Sequence, residues 1–148
     1  MTRNNAWSWL AACLISFSSL AADDDMVKIS QAWARATMPG QEVGAAYMHL
    51  QSPVDATLTE ASSPAADSIE IHKMAMNNGV MEMRMMETLP LPAGQAVKLE
   101  PGGFHLMLFD LKHPLKAGEQ LVLTLKVVEK SGKIHTQHVR VPIKQAAD

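Results

Sequence analysis

This 148-residue chain has a single cysteine, Cys13, and that scarcity removes whole classes of chemistry. A disulfide framework, a C-x-x-C redox pair and a cysteine-rich zinc or iron–sulfur centre all need more thiols than one. Aromatic residues make up only 5% and charged residues 19%, with a formal net charge of −2. Nucleic-acid binding through a basic surface is therefore not expected, and the interior has to be built from Leu, Val, Ile, Ala and Met. G-x-S-x-G, H-E-x-x-H and a phosphate-binding loop are absent as well, so nothing points to an enzyme.

The first residues carry one positive charge at Arg3, and an uncharged, mostly apolar run follows from Ala6 to Leu20, ahead of Asp23-Asp24-Asp25. About fifteen residues is short for a membrane-spanning helix, which needs roughly 20. With small residues at Ser19 and Ala21, this is the layout of a secretory signal peptide. The expected organisation is a signal over residues 1–22 and one domain over 23–148, exported to the periplasm, with no membrane span in the processed form. Leu10-Ala11-Ala12-Cys13 also looks like a lipobox, in which Cys13 would become the lipid-bearing first residue. The apolar sequence continues well past Cys13, which favours cleavage near Ala22 or Asp23 and leaves the processed chain without cysteine.

Residues 27–33, 45–50, 68–72, 97–99, 105–109, 121–128 and 138–141 read as short strands, most with alternating apolar and polar positions. Turn signals separate them at Met38-Pro39-Gly40, Asn77-Asn78-Gly79, Pro101-Gly102-Gly103 and Lys130-Ser131-Gly132-Lys133. No segment sustains a helical apolar period over three turns. Short strands at this spacing predict an all-β sandwich or barrel in a single domain. Asn78-Gly79 further predicts a hairpin whose loop runs through Met74 and Met76.

Eleven methionines are an unusual load, and six of them fall between Met74 and Met86. Methionine is a flexible gap-filler, so this run has an ordinary reading as plastic core. On a strand, however, Met81, Met83 and Met85 share a face opposite Glu82 and Arg84, and His105 shares a face with Met107. His72 falls opposite Ile69 and Ile71, at the expected end of its strand. Imidazole and thioether together suit Cu(I), whereas hard cations prefer oxygen and zinc prefers thiolate, imidazole or carboxylate. A blue-copper electron-transfer site needs a cysteine thiolate, which the processed chain lacks.

The spacing is His72, ten residues, Met83, twenty-one residues, then His105-Leu106-Met107. Together with Ile71-His72-Lys73-Met74, Leu91-Pro92-Ala93-Gly94 and Pro101-Gly102-Gly103-Phe104, it resembles the signature of the periplasmic copper chaperone family known as PCuAC. The resemblance implies a cupredoxin-like Greek-key β-sandwich that binds one Cu(I) through His72, Met83, His105 and Met107. It implies delivery of copper to the CuA centre of cytochrome c oxidase, directly or with a Sco-type thiol protein; separately, the chain is expected to be a monomer. Some members carry a His/Met-rich C-terminal tail for Cu(II), and Ile143-Lys144-Gln145-Ala146-Ala147-Asp148 offers no such ligands. Met74 is the natural substitute ligand, because His72-Lys73-Met74 repeats the H-x-M spacing. Met76, Met81, Met85 and Met86 are, like Met74, candidates for shielding the ion, for a partner-facing apolar patch or for a temporary ligand, and packing is an equal reading for Met85 and Met86. His135 and His138 fall on opposite faces of a strand, His49 and His113 carry no motif, and Trp33 is expected in the core. Copper buffering without an oxidase acceptor, and a metal-free interaction module, are the competing functional readings.

Overall fold

Alternating apolar and polar residues punctuated by turn glycines fold into ten strands in the computed structural model, which describes residues 25–145. The proposed signal segment and Cys13 lie outside the described residues. The strands are β1 (Lys28–Arg35), β2 (Gly44–Gln51), β3 (Ala56–Ser62), β4 (Ala66–Asn77), β5 (Val80–Met86), β6 (Leu89–Leu91), β7 (Ala96–Leu99), β8 (Phe104–Leu111), β9 (Gln120–Glu129) and β10 (Ile134–Lys144). No helix occurs among the described residues.

Hydrogen bonding orders the strands β5-β4-β8-β7-β2-β1-β10-β9-β3-β6. The strands from β5 to β1 form one layer and those from β10 to β6 the other. A short parallel contact, Ala34 against Ile143 and Arg35 against Lys144, joins them into one continuous ladder. Between the layers lies a leucine-rich core in which Leu50, Leu106 and Leu108 from the first layer and Leu58, Leu123 and Leu125 from the second are essentially fully buried. Met48 belongs to this core as well. Truncating one such leucine to alanine typically costs roughly 2–5 kcal/mol, so the apolar alternation of these strands is what holds the layers together.

The all-β expectation holds, and three local expectations are corrected. β4 does not end at His72; it continues through Met74 and Met76 to Asn77, so both methionines are strand residues and His72 is mid-strand. Asn78 and Gly79 have φ of 49° and 80°, the mirror-image turn whose twist matches paired strands, and Asn77 pairs directly with Val80. The hairpin loop is therefore only two residues long. Strands β3 and β6 escaped the pattern reading because Ala56-Thr57-Leu58-Thr59-Glu60-Ala61-Ser62 is rich in small residues and Leu89-Pro90-Leu91 is too short to show a period. Pro90 is tolerated because β6 is an edge strand.

The third correction concerns Trp33. The β1–β2 register shifts between Ser30 and Trp33, and Gln31 sits there at φ 49°. Counting back from Ser30 opposite His49, an unbroken register would put Trp33 opposite Ala46, on the face that enters the core. The bulge instead pairs Trp33 with Tyr47 and turns it to the outer face of the first layer. Trp33 is buried there, in an aromatic row rather than in the core between the layers.

Candidate metal centre

Strand alternation divides β4 and β8 into two chemistries. On β8, Leu106 and Leu108 enter the core while His105 and Met107 face outward; on β4, Ile71 is core while Glu70, His72 and Met74 face outward. Register brings these outward residues into rows. His72 lies opposite His105 and Glu70 opposite Met107, while on the other side Met74 faces Met83 and His72 faces Met85. All four ligands anticipated from spacing, His72, Met83, His105 and Met107, thus share one sheet face on the adjacent strands β5, β4 and β8.

The two imidazoles are buried, with ring centroids 5.7 Å apart. Tyr47 stands 6.3 Å from His105, and Trp33 lies 4.8 Å beyond Tyr47. Phe109 closes the other end, 5.9 Å from His72. This row of rings keeps water from the histidines. Burial pushes the pKa of His105 below the ordinary imidazole value, against a weaker opposing pull from the Gly103 carbonyl, and the neighbouring His72 lowers it further. A neutral imidazole is the form that a metal needs.

Each ring is oriented by one nitrogen. His105 Nδ1 lies 3.3 Å from the carbonyl oxygen of Gly103, which also accepts from the Met74 backbone N–H at 3.1 Å. Donation there leaves the lone pair on Nε2. His72 Nε2 lies 2.7 Å from Glu70 Oε2, and donation to this carboxylate leaves the lone pair on Nδ1. His72 Nδ1 is buried without any hydrogen-bond partner, the one such side-chain atom among the described residues. An orphaned buried acceptor costs on the order of 1–3 kcal/mol unless something occupies it. A carboxylate holding the far nitrogen of an imidazole is the arrangement that orients metal-ligating histidines.

Above the rings opens a cleft of about 530 Å³ whose walls include Met74, Met83, His105, Met107, Tyr47 and Arg35. His72 lies beside His105 and does not line it. Met83 is exposed and Met107 half-buried, so their thioethers are reachable from solvent. No group of three or more His, Cys, Asp or Glu residues placed to hold a metal occurs among the described residues, and the further donors beside the two imidazoles on this face are the methionine thioethers. A larger cleft of about 630 Å³ nearby is lined by Gln31, His49 and Glu100 among others and contains no sulfur. Its imidazole is already bound to Glu100 at 2.9 Å.

The remaining sequence candidates separate cleanly. Met86 packs against the core, whereas Met76, Met81 and Met85 are exposed, so plastic core does not account for the methionine run. His135 is buried and bonded to Glu129 at 2.6 Å, His138 is exposed and bonded to Thr124 at 2.9 Å, and the two face opposite sides of β10. His113 is exposed, with Nδ1 3.2 Å from the Pro114 carbonyl. Sequence reasoning did not single out Glu70, Tyr47 or the Gly103 carbonyl. Glu70 had a usable signal, since a carboxylate two residues before a histidine on a strand shares its face.

A two-layer all-β fold with imidazoles and thioethers gathered on one outer sheet face defines a cupredoxin-like domain. The chain belongs to the LpqE-like family, described as "Putative lipoprotein LpqE-like", whose model matches residues 27–143. It is 34% identical over 121 residues to "Putative lipoprotein Lxx21020" of Leifsonia xyli, covering 81% of this chain and 70% of that protein. It is 32% identical over 114 residues to "Uncharacterized protein RP573" of Rickettsia prowazekii, covering 73% of this chain and 63% of that protein. Among solved structures, the apo PCuAC domain from PmoF1 matches with a TM-score of 0.64 at 25% identity, over 82% of this chain and 95% of that domain. The Cu(I) form of DR1885 from Deinococcus radiodurans matches with a TM-score of 0.60 at 33% identity, over 79% of this chain and 77% of that chain.

Proposed function

We propose that this protein is an extracytoplasmic copper chaperone that holds one Cu(I) through His72, Met83, His105 and Met107. The observation that carries the reading is the buried, unpartnered Nδ1 of His72 beside a second imidazole and next to a thioether-lined cleft. The likeness to a solved structure described as CuI-DR1885 supports it from outside the chain.

The ligand set explains both holding and release. Two imidazoles and two thioethers are neutral and borderline to soft, so they favour Cu(I) over hard cations. None is a thiolate, which an oxidising compartment would convert to a disulfide or a sulfenic acid. Soft anionic sulfur outcompetes thioether, so passage to a cysteine-bearing acceptor runs downhill. The exposed Met83 is the ligand best placed to leave first, while the buried, hydrogen-bonded histidines hold last. The acceptor is a copper-receiving protein, the CuA subunit of cytochrome c oxidase or a Sco-type partner. Export through the N-terminal segment accompanies this role. Lipid attachment at Cys13 is the second reading, favoured by the lipoprotein descriptions of the family and of the Leifsonia xyli relative. The mass of the processed N-terminus separates the two.

The test is an anaerobic Cu(I) titration of residues 23–148 against a chromophoric chelator, alongside a His72→Ala/His105→Ala double variant. One tight equivalent, lost in the variant, is the expected result. Binding indifferent to both histidines would overturn the site. If binding holds, transfer to a purified CuA subunit distinguishes delivery from buffering.

A further inference from the structure

The four-ligand site leaves Met74, Met76, Met81 and Met85 without a role. In a two-residue hairpin the closing pair, here Asn77 with Val80, exchanges hydrogen bonds. Alternation then makes Met76–Met81, Met74–Met83 and His72–Met85 non-hydrogen-bonded pairs. In such pairs facing Cα atoms are only about 4.5 Å apart and side chains approach most closely. Five thioethers therefore line one face of the β4–β5 hairpin, in a ladder from its tip to His72. Met76, Met81, Met83 and Met85 are 65%, 47%, 47% and 58% exposed, while Met74 is half-buried and lines the cleft. Between His72 and the turn, the hairpin's charged groups, Lys73, Glu82 and Arg84, lie on the opposite face. Glu82 accepts from Asn77 and Arg84 there, and Lys73 lies over the Phe104 ring at 5.3 Å. The ladder itself carries no carboxylate between His72 and the turn, so it offers nothing to a hard cation.

We propose that Met76 and Met81, with Met74, form a second, weaker, thioether-only Cu(I) position at the hairpin tip, from which the ion passes to the His72 site through Met83. The inference rests on the His/Met reading above. Passage is ligand exchange in which one thioether bond to copper forms as another breaks. The metal stays Cu(I), and no electron or proton moves. An all-thioether position is weaker than one with two imidazoles, which makes the tip a place of entry and departure rather than storage. Because β5 is an edge strand, the tip is reachable by an acceptor while the histidines stay shielded by their aromatic row.

The experiment is an anaerobic titration of the processed chain, labelled with 13C at the methionine methyls, with Cu(I) added as its acetonitrile complex. A Met76→Leu/Met81→Leu variant, which preserves volume at exposed positions, runs alongside. The first equivalent is expected to shift the Met83 and Met107 methyls and the second those of Met76 and Met81. The variant should keep the first event and lose the second. Methyls of Met76 and Met81 that stay unmoved through several equivalents, while the first equivalent binds as described, would overturn this inference and leave the four-ligand site standing. A first equivalent that leaves Met83 and Met107 unmoved would overturn the four-ligand site, and the relay with it.

Discussion

His72 and His135 begin from nearly the same surroundings. Each is buried on a strand, and each has Nε2 held by a glutamate, Glu70 at 2.7 Å and Glu129 at 2.6 Å. They differ at the rest of the ring. No nitrogen of His135 is left buried without a partner, and its strand neighbour is the core residue Val127. His72 keeps an unpartnered Nδ1, and its strand neighbours are His105 and Met85. Burial and a carboxylate orient both histidines; the unspent lone pair beside other soft donors is what the proposed copper ligand His72 has and His135 lacks.

The comparison breaks most simply at the histidines themselves. His72→Ala is expected to abolish the tight Cu(I) equivalent while His135→Ala retains it, measured by chelator competition, and equal losses would erase the distinction. The carboxylates should follow their histidines more weakly. Glu70→Gln is expected to reduce Cu(I) affinity roughly 10–100-fold, the usual cost of losing a partner behind a ligating imidazole. Glu129→Gln should leave affinity unchanged in the same assay.

The core face of β8 gives a contrasting readout. Leu108→Ala, next to Met107 in sequence but pointing between the layers, should cost roughly 2–5 kcal/mol in chemical denaturation. It should nevertheless retain the copper equivalent. The smallest effect belongs to pH. The hydrogen bond from His135, then that from Ser131, hold Glu129 below the ordinary carboxylate pKa. A depressed carboxylate contributes stability that is present above its unfolded value and is lost as pH falls through its folded value. Glu129→Gln should therefore lower thermal stability slightly across the neutral range, where this contribution is present, and flatten the loss on the acid side, where the two proteins converge. An unchanged acid limb would show that the Glu129–His135 bond is spent on orientation only.

Much of the site was legible from spacing because strands have a period of two. His105 and Met107 had to share a face, as did Met81, Met83 and Met85, whatever sheet they joined. The length of β4 was not legible, since nothing local to His72 says whether its strand stops there or runs five residues further. That depended on the register imposed by Asn78 and Gly79. Trp33 was misplaced for a related reason. One extra residue at the Gln31 bulge exchanges the faces of everything after it, and an apolar residue gives no sign of which buried face it will join.

By itself the sequence determined the class of fold, through alternation and turn glycines. It also determined the chemistry available, through one cysteine, six histidines and eleven methionines. Only the tertiary structure decided which of those groups meet. Register set His72 against His105 and Met74 against Met83, and the β1 bulge carried Trp33 beside Tyr47 to shield the imidazoles. The pairing of Glu70 with one nitrogen left the other buried and unspent. Such facts are long-range: ligand identity is a property of single residues, but an unsatisfied lone pair is a property of everything packed around it.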